Sequence, residues 1–132
     1  MEITSAHRTP ERTVRLIREL EDQGCQIFIA LAGMAAHLAG VIAAHTLKPV
    51  IGVPVGGSAL AGMDALFSTV QMPKGIPVAS MGIGKSGAVN AAVLAVQILS
   101  LSDKALREKL AARRKDMVRE VEESSRKFKE GL

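Results

Sequence analysis

Short apolar runs alternate with stretches of helical periodicity along most of the chain. Four runs have the length and composition of buried strands, and they cover residues 1–4, 25–31, 49–53 and 77–81. Helices are predicted between and after these runs, over residues 10–23, 35–46, 62–70 and 88–101. Because strands alternate with helices, the pattern predicts parallel βα units, and the expected fold class is α/β.

Residues 103–132 follow a different pattern, with spaced apolar positions among many charges. A long C-terminal helix is predicted over about 103–128, starting at Asp103 with Ser102 as its cap. Its apolar stripe consists of Leu106, Leu110, Met117, Val121 and Phe128. We expect this stripe to pack on the core or on a partner subunit.

The chain length of 132 residues suits one domain, so residues 1–132 are expected to form a single α/β domain. The one cysteine, Cys25, excludes a disulfide framework and favours a reducing, cytoplasmic setting. Met1 is followed by Glu2, without the basic and apolar regions of a leader, and no signal peptide is expected.

Charge is distributed unevenly along the sequence. The net charge is +4, yet residues 25–102 carry only Lys48, Asp64, Lys74 and Lys85. The basic excess lies mostly in residues 103–132, interleaved with acids as on a solvated helix face. Trp and Tyr are absent, so the sequence lacks the aromatic platforms of single-strand binders and no nucleic-acid partner is expected. Such an apolar middle would expose large patches on a monomer, which predicts a homo-oligomer.

Three other patterns are weaker. Residues 23–47 carry no formal charge, but polar residues and glycines interrupt them, so no membrane span is predicted; the interrupting residues are Gln26, Gly33, His37, Gly40 and His45. His37 and His45 are eight residues apart on one predicted helix, without acids nearby, which argues against a metal site. Residues 82–87 read G-x-G-x-x-G, but helices follow instead of a strand with an acid. We interpret them as a glycine turn at a helix start, where an anion could bind.

The segment Ser5–Pro10 concentrates one imidazole, one guanidinium and two hydroxyls where a predicted strand gives way to a helix. Ligand sites of parallel α/β sheets lie at this carboxyl edge. Thr9 can cap the helix and Pro10 can occupy its first position, which would hold His7 and Arg8 at the edge. On local chemistry alone, a simple helix cap beside a solvated loop is the competing interpretation.

Several blocks of the sequence match one family in the correct order. They are Ser5–Pro10, Ala32–Leu38, Gly52–Val55, Asp64–Leu66, Val70–Val78 and Gly84–Ala92. Through these blocks, and nearly from end to end, the chain resembles the bacterial class of 5-(carboxyamino)imidazole ribonucleotide mutase, the phosphoribosylaminoimidazole carboxylase catalytic subunit family.

The resemblance implies a three-layer flavodoxin-like parallel sheet and an octamer with sites at subunit junctions. It implies an isomerase of de novo purine biosynthesis, which moves a carboxylate from the exocyclic nitrogen to ring carbon 4 of a small ribonucleotide substrate by decarboxylation and recarboxylation. No metal, ATP or other cofactor is expected. His7 would be the general acid/base, a task that suits imidazole because it exchanges a proton near neutral pH. The implied substrate-binding residues are Ser5, Arg8, Ala32, Gly33, Ala35, His37 and Leu38.

The sequence also departs from the family pattern. Family members begin with a strand, a Gly-Ser-x-Ser-Asp phosphate loop and a helix, a unit of about 30 residues that is missing here. The sheet is therefore expected to be truncated at the N-terminus, with residues 1–4 either frayed or paired directly with 25–31. Leu31 and Met34 replace common glycines, Ala39 replaces a common proline, and Leu31 could crowd the pocket. Two alternatives remain: a non-catalytic oligomeric remnant, and a carboxylase that uses free CO₂.

Overall fold

The computed structural model describes residues 1–131. Its helices and strands are α1 (Pro10–Asp22), β1 (Phe28–Gly33), α2 (Leu38–His45), β2 (Val50–Val55), α3 (Met63–Val70), β3 (Ala79–Ser80), α4 (Lys85–Leu99) and α5 (Lys104–Glu130). All five predicted helices are present. The chain divides into two compact units, one of Met1–Ala95 and one from Val96 onward.

The strands of the first unit form one parallel sheet in the order β1-β2-β3. Phe28 of β1 is opposite Val50 of β2, and Ile51 of β2 is opposite Ala79 of β3. Because β2 is central, it is buried along nearly its whole length, and Ile51 and Val53 are almost inaccessible to solvent. The parallel βα arrangement that the alternating pattern predicts is confirmed.

The hydrophobic core of this unit joins the first two helices to the first two strands. Its buried members are Ile17, Phe28, Ala30, Ala39, Ile42, Ala43 and Val50. The apolar face of α1 reaches this cluster through Ile17, with Leu20 one turn further along the same face. Burial of an isoleucine such as Ile17 contributes roughly 1.5–3 kcal/mol, which fixes α1 in this core.

Three strand predictions need new bounds. The predicted buried strand 25–31 begins only at Phe28, and its residues alternate between buried and exposed, with Leu31 half exposed. The reason is that β1 is an edge strand of the described sheet, and only one of its faces is covered. The strand predicted over 49–53 is longer at its end, because β2 spans Val50–Val55 and includes Pro54. The strand predicted over 77–81 is shorter, because β3 contains only Ala79 and Ser80.

Residues 1–4 do not form the predicted strand. In the part of the chain that the structure describes, β1 pairs only with β2, so these residues have not paired with it. They are held instead by side chains of α1. Glu2 forms an ion pair with Arg12 at 3.2 Å, and Oγ1 of Thr4 lies 2.7 Å from Oγ1 of Thr13.

The long C-terminal helix is confirmed as α5, but its cap is Asp103 and not Ser102. Oδ1 of Asp103 accepts a hydrogen bond from the N–H of Leu106 at 3.1 Å. Asp103 has the extended backbone of an N-cap, with φ −124° and ψ 107°. No residue of α5 is buried, and Phe128 of the apolar stripe is 71% exposed. None of the helices in residues 1–131 combines the length and apolar character needed to cross a bilayer.

The cap at Asp103 leads to a first prediction. Replacing Asp103 with alanine removes the acceptor for the first turn of α5, at a cost of about 1 kcal/mol, or roughly fivefold faster amide exchange there. Hydrogen–deuterium exchange of residues 104–107 measures this change. Ser102→Ala is the matched control and should leave the exchange rates unchanged, as should Asp103→Asn, which keeps an acceptor. If exchange becomes faster only in Ser102→Ala, Ser102 and not Asp103 is the N-cap of α5.

Candidate active site

The carboxyl end of β1 and the segment before α1 border an open cavity of about 490 Å³. It is lined by all eight residues that the sequence resemblance assigns to the site, Ser5, His7, Arg8, Ala32, Gly33, Ala35, His37 and Leu38. Two segments that are distant in sequence therefore meet at the carboxyl edge of a parallel sheet, where α/β proteins bind their ligands.

Five further residues line the same cavity, namely Thr4, Ala6, Leu31, Met34 and Ala36. Leu31 and Met34 stand out in the sequence as replacements of glycines, and Leu31 indeed borders the cavity as expected. Thr4, Ala6 and Ala36 were not predicted. The methyl side chains of Ala6 and Ala36 carry no chemical signal, and Thr4 falls in the segment that was predicted as a strand.

The segment from Ser5 to Thr9 is a single closed turn. The N–H of Thr9 donates to the carbonyl oxygen of Ser5 at 2.9 Å, and the N–H of Ser5 donates to Oγ1 of Thr9 at 2.9 Å. The N–H of Arg8 donates to Oγ of Ser5 at 3.1 Å. These bonds hold both ends of the turn together, and His7 lies at its tip with its side chain exposed.

The predicted cap at Thr9 is correct in position and wrong in its hydrogen bond. Thr9 occupies the N-cap of α1 and Pro10 follows at the start of the helix, as predicted. However, the Thr9 hydroxyl accepts no bond from a helix N–H, and it donates to the carbonyl oxygen of Ser5 at 3.1 Å. The hydroxyl is used to close the turn that carries His7, so it is not available to the helix.

Two imidazoles meet in the cavity. The ring centroids of His7 and His37 are 5.7 Å apart, and the planes are nearly perpendicular at 87°, an edge-to-face arrangement. His37 is the N-cap residue of α2, and its carbonyl oxygen accepts the N–H of Val41 at 2.9 Å. Helix α2 therefore fixes the backbone of one imidazole, while the turn before α1 fixes the other.

The loop that joins β1 to α2 contains a strained residue. Met34 has φ 56°, in the left-handed region that side chains other than glycine rarely adopt, and its carbonyl oxygen accepts the N–H of Ala36 at 2.9 Å. Such strain costs of order 1–3 kcal/mol and persists only where the surroundings impose it, which is common at ligand sites. The Met34 side chain is 69% exposed at the edge of the cavity.

The charge of the cavity suits an anionic ligand. Arg8 is its one guanidinium, and no aspartate or glutamate is among the residues that line it. Within residues 1–131, Arg8 has no carboxylate within 4.0 Å, so its donors remain available to a ligand. A guanidinium offers paired N–H donors that match a carboxylate or a phosphate.

The other motifs lie outside this cavity. The glycine stretch 82–87 forms a turn in which the N–H of Gly84 donates to the carbonyl oxygen of Pro54 at 2.9 Å. Helix α4 begins at Lys85, three residues earlier than predicted. Sγ of Cys25 donates to the carbonyl oxygen of Ile27. Residues 1–131 contain no group of three histidine, cysteine or acidic side chains arranged to bind a metal ion.

The chain is similar to members of one protein family. The profile of the AIR carboxylase family matches residues 1–120. The N5-carboxyaminoimidazole ribonucleotide mutase of Escherichia coli (strain K12) is 53% identical over 124 residues, which cover 94% of this chain and 73% of the relative. The protein of the same name from Pyrococcus abyssi is 55% identical over 119 residues, covering 90% and 67%.

A solved structure described as Treponema denticola PurE has a TM-score of 0.83 to this chain and is 29% identical to it. The match covers 95% of this chain and 77% of that one. This likeness confirms the flavodoxin-like α/β fold that the sequence resemblance implies.

Proposed function

Because this chain belongs to the AIR carboxylase family, we propose that it is a carboxyaminoimidazole ribonucleotide mutase of de novo purine biosynthesis. The observation that carries the proposal is the cavity that gathers His7, Arg8 and His37 at the edge of the sheet. A carboxylate transfer on a heterocycle needs a proton carrier, and a fixed cation can hold the anionic substrate beside it.

In the proposed reaction His7 moves one proton in each direction. Its protonated ring donates to the exocyclic nitrogen as the bond from that nitrogen to the carboxylate carbon breaks and CO₂ is released. Ring carbon 4 then attacks CO₂ to form the new carbon–carbon bond. The neutral imidazole removes the proton that carbon 4 still carries, which restores the aromatic ring and the starting form of His7.

The remaining residues of the cavity bind and orient the substrate. Arg8 supplies a permanent positive charge for its anionic groups, and the small side chains of Ala32, Gly33 and Ala35 leave room for a planar heterocycle. Ser5, His37 and Leu38 complete the proposed binding surface. The reaction as written requires neither metal nor redox cofactor, because only a proton and CO₂ change place.

A carboxylase that uses free CO₂ would employ the same residues, so the assay must separate the two. The chain is incubated with the carboxyamino ribonucleotide without added bicarbonate, and formation of the 4-carboxylate is followed by chromatography. The mutase proposal expects turnover in this mixture. Turnover only from the aminoimidazole ribonucleotide plus bicarbonate would instead establish the carboxylase. If neither substrate is turned over, and calorimetry detects no binding of the aminoimidazole ribonucleotide, the chain is a non-catalytic remnant.

We also propose that the chain acts as a homo-oligomer, with an octamer as the expected form. The first unit exposes many large apolar side chains, including Ile29, Leu31, Leu60, Met63, Phe67, Val70, Ile76 and Val89. Exposed apolar surface of this extent is typical of subunit contacts. Light scattering coupled to size exclusion should give a mass several times 13.9 kDa, and a monomer at micromolar concentration would contradict the proposal. The free thiol of Cys25 fits a cytoplasmic location of the chain.

A further inference from the structure

We infer that Thr13 is a positioning residue for His7, an inference that rests on the proposed role of that histidine. Thr13 lies in the first turns of α1 and is 1% exposed, one of three buried polar side chains in the described chain. It does not line the cavity. A buried hydroxyl needs partners, and the partners of this one all belong to the segment that carries His7.

The Thr13 hydroxyl completes a directed series of hydrogen bonds. It donates to the carbonyl oxygen of Thr9 at 3.0 Å and lies 3.4 Å from the carbonyl oxygen of Ser5. With its proton used in this way, it accepts the proton of the Thr4 hydroxyl at 2.7 Å. The Thr9 hydroxyl donates to the carbonyl oxygen of Ser5 at 3.1 Å, so its 3.2 Å approach to Oγ1 of Thr4 is a contact between the two oxygens and not a further donation. The protons of all three threonine hydroxyls are thereby accepted, one by Oγ1 of Thr13 and two by backbone carbonyls.

This network holds both ends of the turn that presents His7. Ser5 and Thr9 are the residues whose backbone groups close the turn, and Thr13 bonds to the carbonyl oxygen of each. Only three residues lie between them, so the positions of the ends determine where His7 sits. Thr13 belongs to α1, which Ile17 anchors in the core. The hydrogen bonds of Thr13 therefore attach the turn to a rigid helix.

The expected effect falls on the chemical step more than on binding. A shift of the turn by a few tenths of an ångström displaces the His7 imidazole from the substrate atoms with which it exchanges a proton. The longer Arg8 side chain can adjust its conformation and keep its contact with a bound anion. Thr13→Val keeps the shape and removes the hydroxyl, and we expect kcat to fall about 10-fold with KM changed less than twofold. Thr13→Ser keeps the hydroxyl and should restore most of kcat.

The chain offers a matched control. Thr69 of α3 is also buried, at 3% exposure, and its hydroxyl donates to the carbonyl oxygen of Ala65 at 2.7 Å, away from the cavity. Thr69→Val removes a buried hydroxyl of the same kind and should leave kcat unchanged. Equal losses in the two valine variants, or a serine variant as slow as Thr13→Val, would overturn the inference, as would a Thr13→Val enzyme with the kcat of the unmodified chain.

A readout that does not depend on turnover separates this inference from the proposed function. The two imidazole rings are in edge-to-face contact at 5.7 Å, so proton NMR should show a nuclear Overhauser effect between His7 and His37. Thr13→Val should weaken this effect while Thr69→Val preserves it. An unchanged effect in Thr13→Val overturns the positioning role even if the chain proves inactive, and a weakened effect supports it in that case too.

Discussion

Replacing His7 with asparagine is expected to reduce turnover of the carboxyamino ribonucleotide by about 10²- to 10⁴-fold, the usual contribution of a general acid/base. Asparagine keeps a polar side chain of similar reach and cannot take up and return a proton. The turn that carries residue 7 is closed by Ser5 and Thr9, so the substitution should leave the fold intact. Initial rates at saturating substrate measure the effect on kcat.

The control for this variant is His45→Asn. His45 is exposed at the end of α2 and does not line the cavity, so this variant should turn over at the unmodified rate. Calorimetry with the aminoimidazole ribonucleotide should give similar affinities for His7→Asn and the unmodified chain. If His7→Asn and the unmodified chain turn over substrate at equal rates, His7 is not the proton carrier and can only contribute to binding.

Gly87→Ala is expected to destabilise the first unit by about 3 kcal/mol or more. Gly87 is buried in the first turn of α4, and a Cβ there would lie 1.7 Å from the carbonyl oxygen of Gly82 and 2.7 Å from its carbonyl carbon. Both atoms belong to the backbone, so no side-chain rotation can relieve the overlap, and the turn before α4 must open. Thermal unfolding followed by circular dichroism should show a large fall in the midpoint.

Gly82→Ala provides the comparison within the same turn. No atom lies within 4 Å of a Cβ placed at Gly82, and its φ is not positive, so the midpoint should stay close to that of the unmodified chain. A Gly87→Ala chain with an unchanged midpoint would show that the turn has room for a side chain. A large loss in Gly82→Ala would mean that the two positions are constrained alike.

Local features of the sequence were sufficient for most elements. The helix over α1 follows from apolar positions at helical spacing and from Pro10 at its first position. The strand β2 follows from an apolar run that is buried on both faces. By contrast, residues 1–4 have the composition of a strand and are not one, because a strand needs a neighbour, and no sequence pattern states which neighbour is present.

The candidate site, too, was predicted only in part from the sequence. His7 and Arg8 were predicted from a compact motif, and Ser5 and the β1–α2 loop residues from the resemblance. Only the folded chain brings the two segments together in one cavity, where the His7 and His37 rings are 5.7 Å apart. Thr13 was not predicted as anything other than a helix residue, since its partners are defined only when the turn closes over α1.

The amino-acid sequence by itself determined which segments become helices and strands of a parallel sheet and which imidazole and guanidinium stand at its edge, because periodicity and short motifs act over a few residues. Only the tertiary structure decided that β1 is half exposed, that Asp103 caps α5, and that threonine hydroxyls support the turn of His7. The exposure of β1 depends on which distant segments cover it, whereas the cap and the threonine network depend on which of several nearby hydrogen-bond partners the folded backbone brings into reach.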